Sequence, residues 1–130
     1  NRTKSEEILL YNEYLSKLTK KHNQLNKKIN ENPIKNWGNW SAKWNRELKS
    51  INNNFENDFG NNLNEFSGNY KDIYLKLGIA FSDLNSLWGE YDKFYMNEGN
   101  EEDARYFKEK VNEAIKELKT KISEEKNKLK

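Results

Sequence analysis

The sequence has 130 residues, 34% apolar, 34% charged and 13% aromatic, with 23 Lys+Arg against 21 Asp+Glu and a net charge of +2. That length fits one domain, residues 1–130, large enough to bury a core without disulfides or metals. The lack of cysteine excludes a disulfide framework, a thiolate metal site and a cysteine nucleophile, and the interspersed, nearly balanced charge speaks against a polybasic surface for nucleic acid.

No segment is apolar enough to span a bilayer, so no integral membrane segment is expected. Lysine outnumbers arginine 20 to 3 and asparagine occurs 22 times, a bias typical of an AT-rich genome. The chain opens on Asn1 rather than methionine, as it would after loss of a leader or a tag. An exported or surface-displayed location is the expectation, with the cytoplasm left open.

In chain order, the first stripe is Ile8, Tyr11, Leu15, Leu18, His22, Leu25 and Ile29, in alternating steps of three and four. That heptad spacing puts all seven on one helical face and predicts a helix from about Thr3 to Asn30. Asn30-Glu31-Asn32-Pro33 ends it, with Asn32 or Asn36 as the next N-cap and Pro33 suited to the next first turn. The second stripe is Trp37, Trp40, Trp44, Leu48, Ile51, Phe55 and Phe59.

Residues 60–69, rich in Gly and Asn, have a turn composition. A third helix follows on Tyr70, Ile73, Tyr74, Leu77, Phe81, Leu84, Trp88, Tyr91 and Tyr95, stopped by Asn97-Glu98-Gly99-Asn100. The fourth opens with Asn100 as cap and Glu101, Glu102 and Asp103 in its first turn. Its stripe is Ala104, Phe107, Val111, Ala114, Ile115, Leu118, Ile122 and Leu129, and its last turn is basic.

Four matched stripes with short connections predict an all-α, up-down-up-down antiparallel four-helix bundle. The alternative is a three-helix arrangement in which the second and third helices form one long central rod. Gly60 and Gly68 oppose it, each costing about 1 kcal/mol inside a helix. Folding the second helix back on the third sets Trp44 level with Trp88, and Trp37 level with Phe94 and Tyr95. All four tryptophans then gather at the end that also receives His22, Leu25, Ile29, Tyr106, Phe107 and Val111. The other end holds Phe55, Phe59, Phe66 and Tyr70.

Trp40, Trp44 and Trp88 read as core. Trp37, beside Gly38 at a helix start, reads as an exposed anchor of the kind that interfaces favour. Trp37, Trp40, Tyr95 and Tyr106 form the candidate partner-binding set. His22, the sole histidine, reads as a packed core residue, because a bundle di-iron site needs Glu-x-x-His pairs and position 19 is Thr. The carboxylates fall mostly on polar faces, and Ser and Thr lack a partner base, so no catalytic residue, metal or cofactor is expected. Asn1-Arg2-Thr3 and Asn39-Trp40-Ser41 match the glycosylation sequon, as an asparagine-rich chain will by chance. The functional expectation is a non-enzymatic protein-binding or adaptor domain acting through its aromatic-rich end on another protein, with no nucleic-acid partner. The alternative is a small-molecule carrier with an apolar, aromatic-lined cavity inside the bundle.

Overall fold

A computed structural model describes residues 2–60, 68–95 and 101–130. They form four helices: α1 (Lys4–Ile29), α2 (Trp37–Phe59), α3 (Asn69–Tyr95) and α4 (Glu101–Lys128). Among the described residues there is no strand. The turn at 61–67 with Phe66, and the stop and cap at 96–100, lie outside the described residues.

The starts of α1, α2 and α3 have local causes. Thr3 Oγ1 accepts from the Glu6 amide at 3.1 Å while Glu6 Oε1 accepts from the Thr3 amide at 3.1 Å, a reciprocal capping box that satisfies two otherwise orphaned donors. Asn36 is the N-cap of α2, as expected, but its side chain makes no capping bond. Its backbone is left-handed, φ 54°, and its carbonyl accepts from the Trp40 amide at 3.0 Å. Because the chain needs that left-handed step to enter α2, the helix begins at Trp37, and Pro33 lies in the connection rather than in the first turn. Gly68, at φ 56°, plays the same part before α3, its carbonyl accepting from the Asp72 amide at 3.3 Å.

Helices α2 and α3 run antiparallel, which rules out the long central rod. Asn45 Nδ2 donates to Asn85 Oδ1 at 2.8 Å, Tyr74 OH to Glu56 Oε2 at 2.8 Å, and Trp37 Nε1 to Asp92 Oδ1 at 2.9 Å. Lys76–Glu117 at 2.9 Å and Lys121–Asp72 at 2.6 Å fix α3 against α4 in the same sense. Lys21–Glu47 at 2.7 Å and Tyr14 OH to Asp58 at 2.6 Å do so for α1 and α2. The result is the expected up-down-up-down antiparallel four-helix bundle.

Its cross-section is a rhombus. Helices α3 and α4 pack most closely, α1 and α3 meet across the short diagonal, and α2 and α4 barely touch. Helix α2 is therefore held by two neighbours only, and its seam with α1 is the loosest of the adjacent pairs.

The apolar stripes fill the interior, with Tyr11, Leu18, Leu25, Phe55, Phe59, Ile73, Leu77, Leu84, Val111 and Leu118 sealed from solvent. The most tightly stacked rings lie at the end away from the tryptophans. Tyr11 stacks on Phe59 with centroids 4.2 Å apart, Phe55 on Tyr74 at 5.2 Å, and Phe81 adjoins Phe55 at 5.6 Å. Tyr14, which the heptad pattern omits, meets Phe55 edge-on at 5.3 Å. Tyrosine suits this place because its ring packs while its hydroxyl reaches a partner: Tyr11 donates to the Tyr70 carbonyl, Tyr14 to Asp58 and Tyr74 to Glu56.

Candidate functional site

Residues three and four apart share a helical face, so Trp37, Trp40 and Trp44 stand one above another on the first turns of α2. Their rings continue a ladder that begins on α3. Centroid separations are 5.9 Å from Tyr95 to Trp37, 5.9 Å from Trp37 to Trp40 and 6.2 Å from Trp40 to Trp44.

Burial along this ladder reverses part of the sequence reading. Trp37 is not an exposed anchor: it is only 2% exposed, and its indole N–H is satisfied by Asp92. Helix α3 reaches past the start of α2, and Asp92 and Tyr95 cover the ring. Trp44 is core, as expected, its Nε1 donating to the Lys21 carbonyl at 3.1 Å. Trp40 and Trp88, also read as core, are only partly buried and pack at its edge. Tyr95 is 50% exposed. Tyr106, 52% exposed, stands on α4 apart from this ladder, its ring edge-on to Phe107 at 5.2 Å with Lys110 over it at 5.4 Å. Three of the four candidate residues thus come together, and two rungs, Trp40 and Tyr95, reach solvent.

The loose seam between α1 and α2 opens a groove beside the ladder. A cavity of about 430 Å³ has Trp40 and Trp44 in its wall with Lys27, Lys28 and Lys43. It continues along the bundle as a second cavity of about 360 Å³ past Lys17, Lys20, Lys21 and Ile51. Lys28 Nζ lies 5.7 Å over the Trp40 ring and Lys21 Nζ 5.6 Å over Trp44, within cation–π range. Lys21 is buried and bonds Glu47 at 2.7 Å, and Lys28 bonds Glu31 at 2.9 Å. These ammonium contacts hold both carboxyls below the ordinary glutamate range.

Across the two cavities six lysines face two glutamates, a local excess of +4 in a chain whose total is +2. The linear sequence conceals this concentration, because net charge averages over faces. The available signal was the helical spacing of Lys17, Lys20–Lys21, Gln24 and Lys27–Lys28 along one flank of the α1 stripe.

On the other side of the tryptophan end a cavity of about 410 Å³ lies among Ile29, Tyr91, Phe94, Ala104, Arg105 and Lys108. Phe94 is 49% exposed there. His22 is buried, with Nε2 3.1 Å from Asn26 Nδ2. Burial first, and the Lys108 charge second, press its pKa below the ordinary histidine value. Among the described residues no group of three or more His, Cys, Asp or Glu is placed to hold a metal ion, and no helix is long and apolar enough to cross a membrane. No family model, curated protein or solved structure matches this chain.

Proposed function

We propose that this bundle is a non-enzymatic protein-binding domain whose partner rests on the open rungs of the aromatic ladder. The supporting observation is the alternation of burial within it. Trp37 and Trp44 are buried and tied by their indole N–H groups to Asp92 and to the Lys21 carbonyl. Trp40 and Tyr95 pack against these two rings and reach solvent. Aromatic side chains that are already ordered lose little freedom on association, which makes them efficient anchors.

The test is retention of proteins on the immobilised wild-type domain and on a Trp40→Ala/Tyr95→Ala variant that keeps the wild-type melting temperature. The proposal expects a protein held by the wild type and released by the variant, with binding weakened at least about tenfold when that protein is purified and re-measured. Equal retention by both would overturn it. A second reading, a carrier of small apolar molecules, rests on the cavity at Ile29, Tyr91 and Phe94. It expects a melting temperature raised by an apolar ligand and left unchanged in a Phe94→Asp variant.

A further inference from the structure

We propose that the α1–α2 groove takes an acidic segment of a protein partner, with carboxylates against its exposed lysines and one apolar or aromatic side chain laid on Trp40. This names the partner chemistry of the site above and rests on its protein-binding reading.

Three features of the groove carry the inference. The first is its charge, which exceeds that of the whole chain, so the rest of the molecule is net acidic and the groove is where an anionic segment is drawn. The second is the division of labour among its lysines. Lys21 and Lys28 are spent on Glu47 and Glu31 and on the faces of Trp44 and Trp40, where they stiffen the walls. Lys17, Lys20, Lys27 and Lys43 are exposed along the same groove.

The third is shape. From Lys17 to Lys28 the groove follows α1 for about 16 Å, the length of about five extended residues or three helical turns. It lies on the seam where the bundle is least tightly closed. A nucleic-acid strand fits less well. Trp40 is the one ring of the groove that reaches solvent, whereas strand binding uses successive rings.

The experiment titrates the full isotope-labelled chain with three probes and follows backbone amide shifts. One is a Glu/Gly peptide with a central Phe, one is the same peptide with Gln for every Glu, and one is an oligothymidylate. The proposal expects the acidic peptide to shift amides of residues 17–31 and 40–51, with an affinity that falls about tenfold as salt is raised. It expects Lys27→Glu/Lys43→Glu to weaken that binding at least about tenfold, and the exposed pair Lys116→Glu/Lys126→Glu on α4 to change it less than about twofold. All four positions are exposed, so an unchanged melting curve is the check on folding.

Absent groove shifts, equal weakening by both charge-reversed pairs, or tighter groove binding by the oligothymidylate would each overturn the inference. If the Gln peptide shifts the Trp40 and Tyr95 region as strongly as the acidic one, the acidic preference fails while the protein-binding reading stands. That reading fails separately, when a retained protein ignores Trp40→Ala/Tyr95→Ala.

Discussion

At the residue scale the two neighbouring rungs Trp40 and Trp44 separate packing from display. Trp44 is buried with its N–H satisfied, so Trp44→Ala loses ring area, leaves a cavity and removes the indole bond to the Lys21 carbonyl, which keeps its place in the α1 ladder. Urea unfolding should show a loss of about 3–5 kcal/mol. Trp40 is only partly buried, and Trp40→Ala should cost about 1 kcal/mol or less by the same measurement. His22 supplies a pH signature. Its folded-state pKa lies below the ordinary 6.5 because burial and Lys108 disfavour the imidazolium. The unfolded chain therefore binds the extra proton first. His22's contribution is fully present above about pH 6.5 and is lost as pH falls toward the lower folded value. The depressed glutamates, Glu47 and Glu125 among them, act below the ordinary 4.5, while Asp83, raised by burial, acts above its ordinary 3.8 in the opposite sense, so the His22 contribution is isolated by comparison with its variant. Unfolding midpoints should drop from pH 7 to pH 5 in the wild type, and a variant with Gln at position 22 should show a flatter profile.

At the element scale, α2 and α3 each start from a left-handed residue, Asn36 and Gly68. Gly68→Ala should cost about 1–2 kcal/mol, since a Cβ in that conformation meets its own carbonyl, while Asn36→Gly should be neutral or slightly stabilising. Thermal melts of the two variants check both. Helix count, order and pairing were legible because a stripe in steps of three and four can be buried in only one way. The α2–α3 register followed from the turn composition, and the Asn45–Asn85 bond sits where that register requires. What a stripe does not encode is how far a neighbouring helix extends. Trp37 looked terminal and exposed, yet Asp92 and Tyr95 on α3 close over it. Nor does it encode polar residues whose partners lie on other helices. Lys21, Asn45 and Glu125 are buried because Glu47, Asn85 and Asn69 meet them, and each partner is distant in sequence. The lysine groove was hidden for the same reason, since it needs two helices to form. Tyr106 stands apart from the ladder that Tyr95 joins, because it lies on α4 with its ring against Phe107.

At the scale of the whole molecule the bundle has two poles, one of tyrosine and phenylalanine and one of tryptophan. The first makes the fold sensitive to alkali. Burial raises the ionisation of Tyr11 and Tyr14 well above the ordinary 10.0, with Asp58 adding to the effect at Tyr14, and pushes Tyr74 up to about 12. Their stabilising contribution is complete below about pH 10 and is lost as pH rises toward the folded values. Tyrosinate absorbance and loss of helical signal should therefore rise together above pH 10, with Tyr14→Phe shifting the onset. The antiparallel path has a further consequence. Arg2 contacts Asp58, and Glu125 contacts Asn69, so the first and last described turns leave from the tyrosine pole. A tether joined to either end would grip the molecule there and hold the tryptophan rungs outward, about 40 Å from the point of attachment. A label or resin at either terminus would leave the groove unobstructed.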